Sequence, residues 1–154
     1  MSADTLYFVQ HGLALDKADD PERPLSEKGI EQTEAIARQL HHATIPISQI
    51  FHSDKLRALQ TAEIIASIMN VKSVSAIDHL SPNDNVELLA KNLTINNALY
   101  IGHLPHLEKL VSYLVTENEH LNIIKYQNSA VVCLQKSSRL YHVQWYLTPE
   151  LLIN

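Results

Sequence analysis

Two short apolar runs in the chain end at a histidine beside a glycine. Leu6-Tyr7-Phe8-Val9 passes through Gln10 to His11 and Gly12, and Ala98-Leu99-Tyr100-Ile101 is closed by Gly102 and His103. A third run, Ile47 to His52, ends at Ser53, with Arg57 one turn into the segment that follows. Two imidazoles and a guanidinium beside a helix N-terminus suit a phosphate group. One imidazole can attack phosphorus while the other groups bind its charged oxygens. That scheme requires no metal. His52, His79, His106, His120 and His142 are scattered without a metalloprotease pattern, so no metal site is expected.

These residues are far apart in sequence, and an α/β sheet is what would bring them together. Apolar runs at 6–9, 47–52, 73–77 and 98–101 alternate with helical patterns, which predicts a mostly parallel central sheet with helices on both faces. The carboxyl ends of parallel strands share one edge, where open α/β sheets bind ligands, so His11, Ser53 with Arg57, and His103 are expected to converge there. Ser26 is the expected N-cap of a first helix, with Ile30, Thr33, Ile36, Ala37 and Leu40 as its core stripe and His41 and His42 at its end. A second helix is expected from about Asp54 to Met69, burying Leu56, Leu59, Ala62, Ile65, Ala66 and Met69. A short helix carries Val86, Leu89 and Leu93, and Pro105 opens the next one. The runs 130–135 and 140–147 read as a closing hairpin. Leu13 to Arg23 lacks an apolar period and reads as a loop over His11.

Composition narrows the partners. The 154 residues are expected to form one domain, 1–154, with a core that needs no staples. A net charge of −5 offers no general attraction to nucleic acid or to an anionic membrane, so any bound anion must be held locally. The single cysteine, Cys133, lies in an apolar run and reads as a core residue. No eighteen apolar residues run together, and the reading is of a soluble, cytoplasmic protein. Only three glycines occur, and two of them adjoin the strand-ending histidines.

The same residues carry a family likeness. His11-Gly12 after an apolar strand, Arg23-Pro24-Leu25-Ser26 with Gly29, Ser53 with Arg57-Ala58 and Gln60-Thr61-Ala62, and Gly102-His103 resemble, in order, the motifs of the histidine phosphatase superfamily. The short chain and Leu80-Ser81-Pro82 make it most similar to the SixA-type phosphohistidine phosphatases. The resemblance implies a phosphoglycerate mutase-like fold and hydrolysis through a transient phosphohistidine on His11, with Arg57 and His103 on the phosphoryl oxygens. It implies no cofactor. It also implies a phosphorylated substrate, either small or a protein such as a histidine-containing phosphotransfer domain. Gln10, Gly12 and Arg23 join Arg57 and His103 as expected phosphate-binding residues.

Two positions depart from the family pattern. Gln10 stands where the family has Arg directly before the nucleophile, and an amide donates hydrogen bonds without charge. The expectation is reduced activity, with an inactive phosphate-binding or phosphoprotein-binding module as the alternative. Asp54 follows Ser53 where Pro is common. Arg23 and Lys17, on the loop, could replace some of the missing positive charge. The usual general acid has no counterpart, although Asp78, Asp84 and Glu87 are nearby in sequence.

Overall fold

The computed structural model of the chain describes residues 3–153. Six strands form a single sheet: β1 (Thr5–Gln10), β2 (Gln49–His52), β3 (Val74–Ala76), β4 (Ala98–Gly102), β5 (Val131–Ser137) and β6 (Leu140–Leu147), in the order β3-β2-β4-β1-β5-β6. β1 to β4 run parallel, whereas β5 and β6 are antiparallel. The mostly parallel α/β sheet expected from the alternating pattern is the one observed. Four helices accompany it: α1 (Glu27–His42), α2 (Leu56–Met69), α3 (Val86–Ala90) and α4 (His106–Thr116).

The pleat sends alternate residues of β1 into two cores. Leu6 and Phe8 pack with Tyr100, Val132, Leu89, Leu107 and Leu110 under α3 and α4, whereas Tyr7 and Val9 pack with Ile50, Leu99, Ile36, Ala62 and Ile65 under α1 and α2. β1 and β4 are buried along nearly their whole length, as apolar strands covered on both faces must be. Helices therefore flank the sheet on both sides.

Local signals placed most boundaries. The Ser26 hydroxyl accepts the Gly29 N–H at 3.0 Å and caps α1, which ends at His41 and His42. The core stripe of α1 is narrower than expected: Thr33, Ile36, Ala37 and Leu40 are buried, but Ile30 is 40% exposed. Likewise α2 turns Leu59 outward and starts at Leu56, because Asp54 and Lys55 remain in the turn leaving β2. Pro105 lies immediately before α4. The hairpin β5–β6 turns through Ser138 and Arg139, Ser138 having a positive φ of 63°. Cys133 is buried, as its apolar surroundings implied.

Candidate active site

The carboxyl edge of the parallel strands brings the sequence-predicted residues together. His11 follows β1, Ser53 follows β2 and His103 follows β4. The His11 N–H donates to the Gly102 carbonyl at 3.0 Å, so the β1–β4 ladder itself sets the two strand ends side by side. The His11 and His103 rings lie 4.9 Å apart, centroid to centroid, and both are buried. Arg57 is the second residue of α2, where the helix N-terminus faces the same edge.

The chemistry of His11 follows from one bond. Its Nδ1–H donates to the Gly12 carbonyl at 2.7 Å, which places the proton on Nδ1 and leaves the Nε2 lone pair free. Burial lowers the His11 pKa to about 4. The Gly12 bond opposes that shift, and the charges of Arg57 and Arg23 add to it. The ring is therefore neutral at pH 7. A neutral imidazole with a fixed tautomer, in the electrostatic reach of two guanidinium groups, is equipped to attack an electrophile drawn in by positive charge.

Arg23 reaches this neighbourhood from the loop between β1 and α1. The loop is closed at its base by an Ala14–Leu25 bridge and by the Leu15 N–H donating to the Pro24 carbonyl at 2.8 Å. Next to this base Arg23 adopts a positive φ of 51°, and its Nε–H donates to the Leu15 carbonyl at 3.0 Å. The loop closes this tightly because Gly29 in α1 has no side chain: a Cβ there would lie 2.1 Å from the Leu13 carbonyl oxygen. Arg57 feels Arg23 directly, since burial and the Arg23 charge both lower its pKa. An open cleft of about 670 Å³ runs beside them. Lys17, Arg23, Lys55 and Arg57 line it together with Asp16, Glu22 and Asp54.

His103 is held differently. Its Nε2 lies 2.5 Å from the Ser53 hydroxyl, and its Nδ1 is buried without a partner. Burial first, then electrostatic interaction with His11, Arg57, Lys55 and His106, lower its pKa to about 3. Gln10 is buried at the end of β1, and its Oε1 has no partner. Gly12 was expected to bind phosphate, but its N–H is committed to the Thr61 Oγ1 at 2.9 Å. Its contribution is the carbonyl that fixes His11, together with its close packing on Thr33 and Leu25.

Several supporting residues were given no role from sequence, Thr61 being quoted only within the Gln60-Thr61-Ala62 motif. Thr61 Oγ1 donates to the Arg57 carbonyl at 2.8 Å while accepting from Gly12, tying the first turn of α2 to the end of β1. The Asn128 side-chain amide donates to the His11 carbonyl at 3.0 Å, and the Ser129 N–H donates to the Gln10 carbonyl at 2.9 Å. The only available signal was the Asn-Ser pair before β5, a turn signature that carries no address. The three acid candidates separate. Asp78 and Asp84 line a second cleft that Asp54 shares with the first, but the Asp84 carboxylate accepts the Ser81 N–H at 2.9 Å. Glu87 lines a different cleft with Lys91 and Tyr113.

Among the described residues no group of three or more His, Cys, Asp or Glu side chains could hold a metal ion, and no helix is long and apolar enough to cross a membrane.

Comparison with known proteins agrees with this geometry. Residues 6–81 match the family model of the histidine phosphatase superfamily (branch 1). The chain is 32% identical over 120 residues to the phosphohistidine phosphatase SixA of Escherichia coli, covering 73% of this chain and 72% of that protein. It is 31% identical over 131 residues to an uncharacterised protein of Picosynechococcus sp., covering 78% and 79% of the two chains. The solved structure of the protein histidine phosphatase SixA complexed with tungstate superposes with a TM-score of 0.85 at 26% identity, over 97% of this chain and 99% of that one. The order of motifs, the sheet that gathers them and these relatives agree, and the chain belongs to the histidine phosphatase superfamily.

Proposed function

We propose that the protein is a phosphatase that hydrolyses a phosphorylated substrate, protein phosphohistidine in particular, through a phosphohistidine formed on His11. The observation that carries the reading is the state of His11, neutral and with its proton held on Nδ1 by the Gly12 carbonyl, so that the Nε2 lone pair is free in a ring that Arg57 and Arg23 influence electrostatically. Similarity to SixA of Escherichia coli supports the substrate class.

In the first step the Nε2 lone pair attacks phosphorus, and the P–N bond of the substrate breaks with its electrons going to the departing imidazole. That imidazole carries a proton on its other nitrogen and leaves neutral, so the protein needs no general acid. In the second step water attacks the phosphoryl group on His11, inorganic phosphate leaves, and the ring returns to its starting form. Arg57 and Arg23 hold the phosphoryl oxygens, so charge that develops on those oxygens is met by cations already in place, and His103 completes the edge as a neutral ring. Gln10 supplies a donor without charge. A histidine-containing phosphotransfer domain is the partner class that this reading puts forward as the phosphorylated substrate.

The buried, neutral Gln10 favours one other reading, a phosphate-binding module without turnover. The two separate when wild type, Gln10→Arg and His11→Ala are incubated with a phosphohistidine-bearing domain and with an aryl phosphate. Wild-type turnover that disappears in His11→Ala is the expected result. Turnover found only in Gln10→Arg would establish the binding module instead.

A further inference from the structure

Ser53 carries a buried hydroxyl at the site, and the proposed mechanism gives it no task. It is 1% exposed, and its oxygen has two recorded neighbours: the Lys55 backbone N–H at 3.3 Å and the His103 Nε2 at 2.5 Å. The Lys55 N–H can only donate, so it occupies one acceptor site on the oxygen. What remains is where the His103 proton lies.

His103 Nδ1 is buried and has no hydrogen-bond partner. If the proton were on Nδ1, a buried N–H would be orphaned. If it is on Nε2, the orphan is an acceptor lone pair, which folded proteins tolerate more often. The second arrangement therefore prevails, and His103 Nε2–H donates to the Ser53 oxygen. Both acceptor sites of that oxygen are then filled, by Lys55 and by His103. The hydroxyl proton is left with no acceptor among the described residues, at the edge where Arg57 and His11 meet.

We infer that Ser53 is a phosphoryl-binding residue whose O–H donates to an oxygen of the bound phosphoryl group, oriented by the two donors that occupy its lone pairs. The inference rests on the reading of this edge as a phosphoryl site and adds a neutral donor that His103 and the Lys55 backbone N–H keep aimed. It also gives His103 its task at the edge: its one N–H, spent on Ser53, fixes the direction of the serine proton, so that His103 serves the phosphoryl group through Ser53.

The test is inorganic phosphate binding, by calorimetry, to wild type, Ser53→Ala, Ser53→Thr and Arg57→Ala, with the tautomer of His103 read by nitrogen-15 NMR of the wild type. The expected results are about tenfold weaker binding in Ser53→Ala, the loss of one hydrogen bond to a charged group, near-wild-type binding in Ser53→Thr, and the His103 proton on Nε2. Phosphate binding that Arg57→Ala weakens but Ser53→Ala leaves unchanged would overturn the serine assignment alone. So would a wild-type His103 proton found on Nδ1, an observation that does not depend on the folding of any variant. A wild type that binds no phosphate would remove the phosphoryl-site reading and the serine assignment together.

Discussion

The ends of β1 and β2 are built alike. His11 and His52 are both buried, and each donates its Nδ1–H to the carbonyl of the next residue, at 2.7 and 2.8 Å. Local geometry therefore does not distinguish a reactive histidine from a structural one. What His11 has in addition is company: the His103 ring at 4.9 Å, and Arg57 and Arg23 bearing on its charge. A tautomer-fixing bond is available to a histidine at the end of a strand wherever the next carbonyl turns back. Only the meeting of β1 with β4 and α2 makes it useful.

The strongest way to break this comparison is to remove both rings in turn. His11→Ala should lower kcat on a phosphohistidine substrate by at least about a thousandfold, whereas His52→Gln should change it by less than about threefold. Equal losses would show that the shared bond, and not the neighbours, carries the function. Arg57→Ala should come next, with kcat/KM down about a hundredfold, the usual cost of deleting a donor to a developing oxyanion. Gln10→Arg probes the one weak neighbour of His11, and about a tenfold gain in kcat/KM is expected from adding a charged donor.

The smallest effect is the pH dependence. Because the His11 pKa lies at about 4 in the folded protein, Nε2 is free throughout the neutral range, and kcat/KM should fall only as pH drops through that value. Stability should follow the same sign. Between the ordinary value of 6.5 and about 4 the unfolded chain binds the proton and the folded one does not, so this contribution is complete above 6.5 and is lost as pH falls through 4. Urea unfolding at several pH values between neutrality and 4 checks it, and a stability that rose on acidification would contradict the buried, neutral His11.

The asymmetry between the two strand ends also explains what could be read in advance. His11, Arg57 and His103 were legible because each sits at the end of a periodic pattern, and strand ends of a parallel sheet share an edge. The Ser26 cap was legible because its partner is three residues away. The bonds from Asn128 to His11, from Thr61 to Gly12 and from Ser53 to His103 join residues that no local pattern links. Ile30 and Leu59 misled for a related reason. Each has helical spacing that fits a core stripe, but how wide a stripe the sheet covers depends on how each helix sits on it.

The position of β1 in the sheet has a consequence for how the chain comes together. Leu6 pairs with Ala98 on one side and with Leu134 on the other, so β1 is flanked on both sides by strands made much later. Until residue 130 has been synthesised, β1 offers an apolar strand with an unsatisfied edge, the kind of surface that invites pairing with another chain. The loop that steadies His11, at Asn128 and Ser129, arrives with that last pairing. The nucleophile is thus made well before the strand whose pairing sets it in place, and a chain stopped short of β5 would carry His11 without the loop that steadies it.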